Sequence, residues 1–130
     1  MSTSTSPVTG VDFLTVPTRD LQEAMRFYGE TLGLERSVYS EERAYSEFET
    51  GPLTLSVIEP ERFGMPYAPN ANPLALNVDD VAQARAELEG RGVEFRGDTL
   101  DTGVCHMALF ADPDGNALML HHRYAPRASQ

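Results

Sequence analysis

The segment VDFLTVPTRDLQEAMRFYGETLGLE (residues 11–35) reads as strand, cap, helix and glycine stop, and it decides the fold because it returns later in the chain. PLALNVDDVAQARAELEGRGVEF (residues 73–95) carries the same signals in the same order. Asp20 matches Asp80, Leu21 matches Val81, Ala24 matches Ala84, Tyr28 matches Leu88 and Gly33 matches Gly92. The aspartates are 60 residues apart (80 − 20) and the glycines 59 (92 − 33). Asp20 and Asp80 are placed as N-caps, with Glu23 and Gln83 three residues on, as in a capping box. Leu21, Ala24, Met25, Tyr28 and Leu32 recur at helical spacing as one apolar stripe, and Val81, Ala84 and Leu88 repeat it. Gly33 and Gly92 can take the left-handed conformation that ends a helix.

After each helix the pattern turns to strands. They are expected at Ser37–Ser40, Ala44–Thr50 and Leu53–Glu59, then at Val93–Arg96, Val104–Ala111 and Ala117–His122. Gly51-Pro52 marks a turn in the first half, and Asp112-Pro113-Asp114-Gly115-Asn116 a stronger one in the second, because proline presets φ and glycine supplies positive φ. One such unit cannot bury both faces of a curled sheet, but two can. The expected architecture is α+β: two tandem βαβββ units with curled mixed sheets enclosing a cavity and helices on the outside. Residues 11–124 form one domain, with a first unit at 11–60, a linker at 61–72 and a second unit at 73–124. Residues 1–10 and 125–130 read as tails, the first flexible.

Composition narrows the function classes. Hydrophobic residues make up 41% and charged residues 23% of the 130, which is ordinary for a globular domain. Ten basic against twenty acidic residues give a net charge of −10, which opposes nucleic-acid binding and is compatible with a cationic ligand or with plain solubility. No apolar run approaches the roughly 20 residues of a membrane span, and the start lacks the basic and apolar regions of a secretory signal. Cys105 is the single cysteine, so no intrachain disulfide can form, and a cytoplasmic location is expected.

The paired units, the Asp20–Leu34 segment with Phe27-Tyr28 and Leu32-Gly33-Leu34, and the DPDGN turn before an apolar strand resemble the vicinal oxygen chelate superfamily. That superfamily includes glyoxalases, bleomycin- and fosfomycin-resistance proteins and extradiol dioxygenases. The resemblance runs from about Val11 to Tyr124. It implies that a metal-dependent member would place His or Gln, and Glu, on the first and last strands of each repeat. Seven residues before the capping aspartates stand Phe13 and Pro73; four after Gly115 stands Met119, with Thr54 as its expected first-repeat partner. Phe, Pro, Met and Thr do not make a hard divalent site. Glu59 enters only by a register shift. No metal and no other cofactor is expected, with a divalent metal as the alternative.

Strand alternation then defines an expected pocket lining. Phe13, Met107, Leu109 and Met119 are its apolar positions. Tyr45, Glu47, Thr54, Ser56 and His121 are its polar anchors, with Cys105 on the same face. His121 reads as a general acid or base, as a ligand-orienting donor, or as a strand-end histidine with no role. His106 and His122 fall on the opposite face. Glu47 can pair with a cation, act as a base, or be a solvated edge residue; Cys105 is a thiol nucleophile or a small buried hydrophobe. A Cys105–His121 pair across neighbouring strands is a further catalytic option. No phosphate loop, nucleophile elbow or dinucleotide fingerprint appears. The leading expectation is a metal-independent protein that binds a small organic molecule, a homodimer under any reading. A lyase, isomerase or dioxygenase using His121, Glu47 and Cys105 is the alternative, and a module with a collapsed cavity a third.

Overall fold

The structure, a computed structural model, describes residues 6–126. Residues 1–5 and 127–130 of the expected tails lie outside the described residues. The first repeat runs β1 (Phe13–Pro17), α1 (Leu21–Arg26), β2 (Glu35–Ser40), β3 (Tyr45–Glu49) and β4 (Thr54–Ile58). The second runs β5 (Leu74–Asn77), α2 (Val81–Gly90), β6 (Arg96–Asp101), β7 (Cys105–Ala111) and β8 (Ala117–Arg123). Each forms a four-stranded sheet of the same topology, β1-β4-β3-β2 and β5-β8-β7-β6, in which only the first and last strands of the repeat pair in parallel. The sheets are curled and do not close into barrels. No helix among the described residues is long and apolar enough to cross a membrane.

The caps form as their spacing predicts. Asp20 Oδ1 accepts from the Glu23 N–H at 3.1 Å and Asp80 Oδ1 from the Gln83 N–H at 3.0 Å. The returning half of the first capping box is made by other groups. The Asp20 N–H donates to Thr18 Oγ1, and the Leu21 N–H to Glu59 Oε2, both at 3.0 Å. Glu59 is therefore spent on a helix start and is not an inner-wall ligand. After Arg26 the first helix widens into a π turn, Phe27–Thr31, closed by the Leu32 N–H on Phe27 O at 2.9 Å. Gly29 sits there because a Cβ would lie 3.3 Å from the Phe48 ring.

One strand was misplaced. A strand was expected at Val93–Arg96, but β6 begins at Arg96. Val93 is buried and Phe95 stacks on Phe110 at 5.1 Å while the chain is still a loop leaving α2, so their apolar alternation marks core contacts and not a strand. β6 itself is exposed at every position and is held by backbone pairing to β7, with a register irregularity between Arg96 and Leu100.

The core is shared between the repeats. Tyr28, Phe48, Leu55 and Val57 from the first belong to one buried cluster with Val81, Leu88, Phe110 and Leu120 from the second. Each such side chain contributes about 1.5–3 kcal/mol of burial. All of them lie on the helix-bearing sides of the sheets. The concave sides are left open: Phe13 is 50% exposed, and Thr15, Ala75 and Asn77 are exposed. A buried knot around the DPDGN turn fastens the repeats together. The Tyr28 hydroxyl donates to Asp112 Oδ2 at 2.7 Å, and Asn116 Nδ2 donates to Asp112 Oδ2 at 2.8 Å and to Pro17 O at 2.9 Å. Burial and the neighbouring carboxylate push the Tyr28 hydroxyl far above the ordinary tyrosine range.

Candidate functional site

The open concave faces hold every position of the expected pocket, divided between two sheets. On the first, directly paired residues share a face, so the register stacks Phe13, Thr54 and Glu49 in one row and Thr15, Ser56 and Glu47 in the next. Tyr45 follows, opposite Ile58. Glu47 is half-buried with no hydrogen-bond partner for its carboxylate among the described contacts, and Val38 of β2 flanks it. Glu49 is the fixed charge of this face. Ser37, at the β2 bulge, and Thr54 both donate hydroxyl hydrogens to it, Thr54 Oγ1 at 2.6 Å, and these bonds, Ser37 first, hold its carboxyl below the usual carboxylate range. Across Thr54 on the same face, two strands from this anion, the Phe13 ring stands half-exposed.

The second sheet offers a different surface. Met119 lies between Ala75 and Leu109, and His121 between Asn77 and Met107. Cys105, buried, pairs with Arg123 and not with His121, so the expected Cys105–His121 pair is not a direct cross-strand neighbour. The Arg123 Nη1 approaches Cys105 Sγ at 4.0 Å, its Nη2 donates to Pro126 O at 3.3 Å, and its Nε is buried without a partner. His106 lies outside this face, 3.4 Å from Asp101 and stacked on Tyr124 at 4.7 Å.

Two residues escaped the sequence reading. Glu49 continues the alternation of Tyr45 and Glu47, and Arg123 that of Met119 and His121. Extending each strand pattern by one step would have found both. One correspondence also changes. Ala75 pairs with Met119 as Thr15 pairs with Ser56, so the first-repeat counterpart of Met119 is Ser56 and not Thr54; the four-residue turn of the first repeat, one shorter than DPDGN, displaced the count. Pro73 precedes β5. The inner-wall set Phe13, Pro73, Ser56 and Met119 does not fit a divalent ion, for it offers one hydroxyl and one thioether and no carboxylate or imidazole. Among the described residues no three or more His, Cys, Asp or Glu side chains come together as a metal would require. A cavity of about 440 Å³ does lie between the repeats, walled mainly by leucines of the helix-bearing faces with Ala75 and Asn77 of β5 at its border, and none of the expected pocket residues line it.

Comparison with known proteins agrees with this fold. A family model described as the Glyoxalase/Bleomycin resistance protein/Dioxygenase superfamily matches residues 10–120. No curated protein gives a significant match. Among solved structures, TnmS3, an antibiotic binding protein from Streptomyces sp. CB03234, is 26% identical with a TM-score of 0.76, over 92% of this chain and 99% of its own. A glyoxalase/bleomycin resistance protein from the same organism is 30% identical with a TM-score of 0.67, over 83% of this chain and 96% of its own. Lactoylglutathione lyase from Agrobacterium tumefaciens, 19% identical with a TM-score of 0.72 over 89% of this chain and 95% of its own, shares the fold alone. The repeated βαβββ topology and the family match over most of the chain place this protein in the glyoxalase/bleomycin resistance protein/dioxygenase superfamily.

Proposed function

We propose that this protein is a metal-independent binder of a small cationic organic molecule, acting in the cytoplasm as a homodimer. The observation that carries the reading is Glu49, kept ionised by Ser37 and Thr54 on the face that also presents the exposed ring of Phe13 two strands away. An anion and an aromatic ring about two strand spacings apart on one face suit an organic cation long enough to reach both, which gains ion pairing at one end and ring contact at the other. Glu47 and Tyr45, on the same face, extend that surface. The poor donor set at the family's metal positions supports binding without an ion, and the likeness to an antibiotic binding protein supports a ligand of drug size. Homodimer formation belongs to the same reading, because an open concave sheet half-encloses a ligand and a second copy supplies a covering wall.

Thermal-shift and calorimetric titration against paired aromatic ligands, one cationic and one neutral, test this. The cationic member is expected to stabilise the protein, and Glu49→Gln to weaken it by about tenfold, or ~1.4 kcal/mol. Equal binding of neutral and cationic members, or chemical turnover of the ligand dependent on His121 or Cys105, would sink the reading in favour of a lyase, isomerase or dioxygenase.

A further inference from the structure

The cavity between the repeats occupies the place of a contact that the other half of the molecule fills. Equivalent positions follow from helix spacing and sheet register. Tyr28 and Leu88 each stand eight residues past a capping aspartate (28 − 20 and 88 − 80). Thr50 follows β3 as Asp112 follows β7, Leu53 precedes β4 as Asn116 precedes β8, and Pro17 ends β1 as Asn77 ends β5. In one arrangement Tyr28, Asp112, Asn116 and Pro17 close the buried hydrogen-bonded knot. In the other, Leu88, Thr50, Leu53 and Asn77 all line the cavity. A phenol ring, a carboxylate and an amide have given way to smaller or less polar groups on a shorter turn, and a space of about 440 Å³ remains. That falls within the roughly 300–1,000 Å³ of small-molecule pockets.

The lining specifies the ligand class. Its inner walls are aliphatic, with Leu14 and Leu55 from one sheet facing Leu74, Leu76 and Leu120 from the other, and no aromatic side chain among them. Its one ion pair, Arg91–Glu87 at 3.2 Å, stands exposed at the rim and cancels its own charge. The consecutive residues Leu74–Val78 all line the space, and β5 is the edge strand of its sheet, so free backbone N–H and C=O groups border it. These can satisfy a single hydroxyl or carbonyl. A charged molecule would lose its hydration against leucines with no counter-ion to replace it. Apolar side chains that face an open groove are only partly removed from water, and an apolar occupant adds the contacts they lack.

We propose that this inter-repeat cavity is a second binding site, for an uncharged, largely aliphatic small molecule carrying one hydroxyl or carbonyl group. Its leucine walls lie on the opposite side of the sheets from Glu49, none of the expected pocket residues line it, and it does not depend on the concave-face reading. Fluorescence titration with N-phenyl-1-naphthylamine, followed by displacement with 1-decanol and with decyltrimethylammonium, tests it. Saturable binding is expected, reversed by the alcohol and not by the cation. Ala84→Leu and Leu88→Phe, which fill the space, should each weaken the probe by about tenfold or more without lowering the thermal midpoint. Glu49→Gln should leave alcohol displacement intact, and the two filling variants should leave binding of the cationic ligand at the concave face intact. If Leu88→Phe impairs folding, Ala84→Leu, from the partly exposed side of α2, decides the matter. Absence of saturable probe binding by the folded protein, or affinity undiminished in a folded filling variant, would overturn the site.

Discussion

Tyr28 shows how one side chain can hold two repeats together. Its ring packs on Phe48 at 6.0 Å while its hydroxyl reaches across to Asp112. Tyr28→Phe keeps the ring and removes one donor from a buried carboxylate, which should cost about 1–3 kcal/mol in urea unfolding. The pH dependence has a definite sign. The folded-state pKa of Tyr28 is raised, first by burial and then by Asp112, so its contribution is complete below the ordinary value of 10.0 and is lost as pH rises above it. The wild type should therefore lose stability above that pH more steeply than Tyr28→Phe; parallel alkaline limbs would contradict the assignment. Glu49 has the opposite sign, since its pKa is lowered: cation binding should persist as pH falls through the ordinary carboxylate value of 4.5 and fail only below it. The helix stripe made Tyr28 legible as a core residue. Its partner was not, because no local pattern joins residue 28 to residue 112.

At the scale of elements, capping offers the sharper comparison. Both helices begin at an aspartate, but α1 has two further supports, Thr18 on the Asp20 N–H and Glu59 on the Leu21 N–H. Among the described hydrogen bonds α2 has only Asp80 in that role. Asp80→Ala should cost about 1 kcal/mol in denaturant unfolding, and Asp20→Ala less. A larger loss at Asp20 would mean that Thr18 and Glu59 depend on that cap. Elements with strong local signals, such as the caps, the glycine stops and the DPDGN turn, were readable in the chain. β6 was not, because RGDTLD carries no apolar alternation and owes its form to pairing with β7. The π turn was equally hidden, and the close approach of the Phe48 ring from β3 to Gly29 within it joins residues that no local pattern connects.

For the whole molecule, the consequential feature is which sides of the sheets meet. Apolar alternation marks Leu14 and Val16 apart from Phe13 and Thr15, and Leu118 and Leu120 apart from Met119 and His121, and the structure keeps those assignments. The sequence by itself determined the repeat, the helix boundaries set by caps and glycines, and the partition of each strand into two faces, because these depend on neighbours a few residues away. The two curled sheets do border a cavity within the chain, and its walls are mainly the leucines of the helix-bearing faces. Tertiary structure alone decided that the helix-bearing faces share the core, that Glu49 and Phe13 stay accessible, and that one inter-repeat contact is filled by Tyr28 while its counterpart is an open groove. Period-two alternation distinguishes two sides of a strand but carries no information about what packs against either, and that choice rests on contacts between residues sixty to a hundred positions apart.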